Sequence, residues 1–194
     1  MMNEEEEKAQ KIQMIGFTTN DKNYSPNDII SNYLNNNSHF IIKKSTQLIA
    51  FSTVLPDQKK PTKIMLITLL DLEIEYEGIN EVNCYLIIID LQKETSKDKL
   101  SEILAYINQF CNLSKKIYLL GVKKDEEENK IKLTEEEILQ KIKEMNVEYE
   151  YFELNLDNSF EASEKILEIL KYCLNNTYIG EEKGESDQKS CAIY

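Results

Sequence analysis

The sequence predicts a three-layer α/β domain, an open and mostly parallel sheet of about six strands with one antiparallel edge pair and helices on both faces. Three observations carry this expectation. Apolar runs alternate with amphipathic segments along most of the chain. Two of the runs, "NCYLIIID" (83–90) and "KKIYLLGV" (115–122), are almost unbroken, the pattern of strands covered on both sides. The segments that follow them repeat apolar residues at three-and-four spacing, the signature of a helix with one buried stripe.

Taken in order, "KIQMIGF" (11–17) reads as the first strand and "SPNDIISNYL" (25–34) as a helix. Ser25 suits the cap, Pro26 the first helical position and Asp28 the positive helix end. "HFIIKKSTQLIAFSTVL" (39–55) is β-rich and pairs antiparallel with "TKIMLITLLDLEI" (62–74) across "PDQKKP". After the buried run 83–90 comes the helix "SKDKLSEILAYINQFCN" (96–112), with Leu100, Ile103, Leu104, Ile107 and Cys111 on one face. Strand 115–122 follows. The helix "TEEEILQKIKEMN" (134–146) opens with Thr134 and has Glu137 three residues on, a capping box. "YEYFELNL" (149–156) is the last strand, and "SFEASEKILEILKYCLN" (159–175) the last helix. The expected organisation is an acidic tail over 1–10, one domain over 11–176 and a polar tail over 177–194.

Composition excludes several functions. Acidic residues number 35 against 23 basic ones, a net charge of -12, which opposes binding to a nucleic-acid backbone. Every basic residue is Lys, so the chain has no guanidinium fork and no arginine finger of its own. The four cysteines form no CxxC pair, and three of them read as small core residues. No metal site is expected. His39 is the single histidine, and no nucleophile–base set converges on it, so no catalytic residue is assigned. The opening "MMNEEEEKAQK" has no signal-peptide character, and no apolar run is long enough to span a bilayer. A cytoplasmic protein is expected.

In a sheet of this kind ligands sit beyond the carboxyl ends of the strands, which directs attention to 16–23, 71–78, 121–125 and 155–158. The first stretch, "GFTTNDKN", places Gly16 and Lys22 at the spacing of a phosphate-cradling loop, but with Asp21 before the Lys and Asn23 after it. "DLEI" begins with Asp71, and "VKKD" (122–125) supplies Lys123 and Asp125. In element order over residues 11–175 and in part of the motif residues of the first three of these loops, with no identical residue in the fourth ("NLD", 155–157), the chain resembles the Ras-like small GTPases, Rab- or Ras-like in type.

The resemblance implies that Gly16, Lys22, Asn23, Asp71, Lys123 and Asp125 stand where that family holds GTP or GDP with Mg²⁺. Lys22 matches the phosphate Lys and Asp71 the metal-side Asp, while Lys123 and Asp125 match the purine-binding pair. The surrounding residues depart from the family. Asp21 replaces the Gly whose N–H closes on phosphate, and Asn23 replaces the hydroxyl that ligates the metal. Ile74 replaces the terminal-phosphate sensor, Val122 replaces an Asn, and no water-positioning Gln follows Asp71. Like charge between Asp21 and a polyphosphate costs on the order of 4 kcal/mol at ~4 Å and an effective dielectric near 20.

The expectation is therefore a pseudo-GTPase, with no catalysis and no cofactor, that serves as an interaction module or structural subunit in a trafficking or cytoskeletal and ciliary assembly. Its empty loop would be filled by its own side chains, with Lys22 paired to Asp71 or Asp21. The alternative is a divergent active switch. The final "CAIY" is similar to the prenylation box of many such proteins, which would lipidate Cys191, although Tyr194 is not a usual last residue. With no polybasic neighbour, a single chain gives only weak membrane attachment. Protein partners are expected; their identity is not legible.

Overall fold

A computed structural model of the chain describes residues 10–20, 24–27, 29–30, 39–44, 47–55, 61–73, 75–124 and 131–181. Seven strands and three helices are laid out along it: β1 (Gln10–Thr18), β2 (His39–Lys44), β3 (Leu48–Thr53), β4 (Thr62–Thr68), β5 (Cys84–Asp90), α1 (Ser96–Phe110), β6 (Lys116–Lys123), α2 (Glu135–Lys143), β7 (Tyr149–Asn155) and α3 (Ser159–Glu181). Residues 26–27 and 29–30 are also helical, at the place where Ser25 and Pro26 predict a helix to start.

The strands form one sheet in the order β2-β3-β4-β1-β5-β6-β7. Only β3 runs against the others, pairing antiparallel with both β2 and β4. The sheet has one strand more than expected because 39–55 is not continuous. It folds into the β2–β3 pair, which places β2 at the edge. β4 stops at Thr68, short of the expected end near residue 74. At the other end of the chain α3 runs on to Glu181, past the expected end at Asn175 and into the segment read as tail.

Alternation along β1 divides the core. Ile12 and Met14 face one side with Ile166, Ile169, Leu170 and Cys173 of α3. Ile15 and Phe17 face the other with Leu100, Ile103 and Ile107 of α1 and Ile138 and Ile142 of α2. Each such aliphatic side chain contributes roughly 1.5–3 kcal/mol when fully buried. All seven residues of β5 are buried, as its apolar run requires of a central strand. The capping box of α2 forms as read: Glu137 N–H donates to Thr134 Oγ1, and Thr134 N–H donates back to Glu137 Oε2. Cys84 and Cys173 are buried with their sulfurs 3.1 Å apart, and Cys111 is half-buried.

Candidate functional site at the β1–β5 crevice

The chain leaving β1 passes onto the α3 face, where Ile29 and Ile30 pack. The chain leaving β5 passes onto the opposite face, through α1. β1 and β5 are parallel neighbours, in register from Met14 beside Cys84 to Thr18 beside Ile88. Their carboxyl ends therefore diverge into connections on opposite faces, which is the topological switch point where open α/β sheets take ligands.

Side chains of the protein itself fill this crevice. Thr18, Thr19, Asn20, Asp90 and Ser96 are all buried. The Asn20 amide donates to Asp90 Oδ2 at 2.6 Å, from one lip of the crevice to the other. Asp90 Oδ1 accepts the Gln92 N–H at 3.0 Å. Thr19 Oγ1 accepts the Asp90 N–H at 2.9 Å and lies 3.0 Å from Ser96 Oγ. Lys93 Nζ donates to Asn20 Oδ1 at 3.2 Å, so both ends of the Asn20 amide are engaged. The loop is folded by short polar side chains that bind nearby backbone. Thr18 Oγ1 accepts the Asn20 N–H and donates to the Tyr24 carbonyl, and Tyr24 N–H donates to the Asn20 carbonyl.

A second fastening joins the loops after β5 and β6. The Gln92 carboxamide donates to the Lys124 carbonyl and accepts the Lys124 N–H, each at 3.0 Å, so one side chain makes the bonds of a strand neighbour. The Lys124 ammonium lies 5.7 Å from the centre of the Tyr24 ring, a cation–π contact back to the chain after β1.

Three of the sequence-selected residues are described, and the structure does not bring them together. Gly16 lies inside β1, not after it, and its function there is packing. A Cβ on Gly16 would lie 2.7 Å from both Cβ and Cγ of Pro26 and 3.2 Å from Leu66 Cδ1. Asp71 is exposed, and its carboxylate binds the N–H of Glu73 at 2.8 Å in a local turn. Lys123 ends β6 and pairs with Glu153 at 2.7 Å. Asp21, Lys22, Asn23, Asp125 and Cys191 lie outside the described residues, and with them the expected pairing of Lys22 with Asp71 or Asp21. Among the described residues, 69–83 contains turns but no helix.

The residues that fill the crevice were missed. The available signal was the Asp that ends the apolar run "LIIID", a charge at the carboxyl end of a strand buried on both faces. Chemically the arrangement is a closed polar knot. Asn20, Asp90 and Thr19 bind one another, and among the described residues the cluster carries two formal charges, the buried Asp90 and the half-buried Lys93. Among the described residues no three His, Cys, Asp or Glu side chains come together as metal ligands, and no helix is long and apolar enough to cross a membrane. Comparison of the chain with models of known protein families and with curated proteins gives no match.

Proposed function

We propose that this chain is a small GTPase-like domain without catalytic activity, a pseudo-GTPase that acts as an interaction module or structural subunit of a larger intracellular assembly, in trafficking or in a cytoskeletal or ciliary structure. The observation that carries the reading is the Asn20–Asp90 bond across the β1–β5 crevice. A ligand at that place has to break it and leave a buried carboxylate facing whatever enters. For a polyphosphate the approach of like charge costs on the order of 4 kcal/mol at ~4 Å and an effective dielectric near 20. The seven-stranded order, with β3 alone reversed, supports the fold half of the reading. The departures at Asp21, Asn23 and Ile74 support the loss of chemistry.

Titration of the purified chain with labelled GTP and GDP in the presence of Mg²⁺ tests this. No binding at millimolar nucleotide is the expected result. Submicromolar binding would overturn the reading in favour of a divergent nucleotide switch held at membranes through Cys191.

A further inference from the structure

Between β4 and β5 the chain runs beside α1, with acids alternating with other residues in the sequence: Asp71, Glu73, Glu75 and Glu77. Bonds hold the chain at 69, 76 and 79. Leu69 N–H donates to the Gly16 carbonyl at 2.9 Å, the Tyr76 main chain meets the Tyr106 hydroxyl, and Tyr85 Oη donates to the Ile79 carbonyl at 3.0 Å. Between this stretch and the helix lies an open groove of about 760 Å³ with Leu70, Ala105 and Phe110 among its apolar lining. A second hollow of about 710 Å³ continues it, sharing Gln109 and Phe110 and adding Glu75. Leu70 and Tyr76 are among the few large apolar side chains left exposed, at 41% and 36%.

We propose that this groove docks a basic segment of a partner protein, which lays an aliphatic or aromatic side chain on the floor and sets Lys or Arg side chains against the acidic rim. The inference rests on the interaction-module reading and supplies the chemistry of its partner. Charge decides the occupant. The groove carries Asp71, Glu73, Glu75 and Glu102 against one cation, Lys99, which is already bound to Glu102 at 2.9 Å. Among the described residues no Lys pairs with Asp71, Glu73 or Glu75. A second copy of the chain, at net charge -12, brings like charge. Leu70, exposed and in the groove lining, offers an apolar contact beside the acids. Because the chain here is already bonded to β1 through Leu69, to α1 through Tyr76 and to β5 through Ile79, docking demands little ordering at those points.

The probe is a short labelled helical peptide of Leu and Lys with Leu on one face, followed by fluorescence anisotropy with the full chain at about 0.15 M salt, where long-range attraction is screened. Binding by the unmodified chain is expected. It should weaken about tenfold in Glu73→Lys/Glu75→Lys and about tenfold in Leu70→Ser, and stay unchanged in Glu164→Lys, an exposed acid of α3 away from the groove. Amide shifts on binding should fall within 70–80 and 99–112. Circular dichroism of each variant separates lost docking from lost folding. The proposal is overturned if the unmodified chain does not bind the peptide, if Glu164→Lys weakens it as much as the rim variants, if Leu70→Ser has no effect, or if the shifts lie elsewhere. Nucleotide titration of the same sample keeps the two readings apart. A failed peptide with no nucleotide bound removes the docking surface alone, whereas tight nucleotide binding removes the pseudo-GTPase reading whatever the peptide does.

Discussion

Asp90→Ala is the sharpest test of a self-closed crevice. The substitution removes the acceptor of the Asn20 amide and of the Gln92 N–H. Asn20 is 3% exposed, and losing its bond to the carboxylate costs roughly 1–3 kcal/mol. Gln92 is half-buried, and losing a bond to a charged acceptor adds about 1 kcal/mol. Relief of the carboxylate's own burial works the other way. A net loss of about 2–3 kcal/mol is expected, which lowers the midpoint of thermal unfolding by roughly 4–12 °C for a domain of this size. Urea unfolding followed by circular dichroism measures it. Asn20→Ala in the same background completes a double-mutant cycle with an expected coupling of about 1–2 kcal/mol, within the range for residues in direct contact. A third variant separates charge from geometry. In Asp90→Asn one amide N–H₂ group faces another, and Asn20 cannot turn over to help because Lys93 holds its oxygen. That variant should also be destabilised, by about 1–2 kcal/mol. Losses under about 0.5 kcal/mol in all three, or a coupling near zero, would refute the argument that this bond closes the site.

Gly16→Ala should destabilise by about 1–3 kcal/mol by urea unfolding, because its Cβ collides with Pro26 at 2.7 Å; Pro26→Gly added to it should recover part of the loss, and simple additivity would show that the contact is not the cause. The Glu137 carboxyl is held low, to about 2, first by Lys97 at 2.7 Å and then by the N–H and hydroxyl of Thr134. Its contribution to stability is therefore complete above the ordinary Glu range near 4.5 and is lost as pH falls through about 2. Carboxyl NMR titration should show that low midpoint, and Lys97→Ala should raise it; an unmoved midpoint would assign the shift elsewhere. Cys84 and Cys173 should resist aromatic disulfide reagents at pH 8 until the protein unfolds. The Cys84 thiol is raised by its contact with Cys173 and by burial, and burial pushes Cys111 up to about 12. Rapid labelling of either buried thiol in the native protein would contradict this packing.

The elements with strong local signals were legible. The unbroken runs of β5 and β6, the stripe of α1 and the Thr134–Glu137 box need only neighbours three or four residues apart, or none, to be recognised. The β2–β3 break was less visible, since 39–55 is β-rich on both sides of it and a turn of polar residues does not by itself show which strand will take the edge. The site was the least legible part, and register explains why. With Thr18 level with Ile88, two further residues on each chain bring Asn20 level with Asp90. A pair 70 residues apart in sequence thus becomes a 2.6 Å hydrogen bond. Read locally, "TTN" after a strand is solvated loop and the Asp of "LIIID" is a strand end. Only the parallel pairing of β1 with β5 turns both inward.

The same register changes what the phosphate-loop resemblance means. A search by motif fixes on Gly16 and Lys22, because those residues have defined roles in the family. The side chains at 18–20 have no defined role in that motif, yet Thr18, Thr19 and Asn20 supply the bonds that close the crevice. Gly16 is required by Pro26 whether or not a phosphate ever binds. Gly16 is therefore weak support for nucleotide chemistry, since packing against Pro26 calls for a glycine there on its own. Polar residues that satisfy one another across a switch point weigh more heavily, and they weigh against a ligand there. A ligand must repay every bond it breaks before it gains any affinity, so at this crevice the protein's own side chains compete with any phosphate and already hold the place.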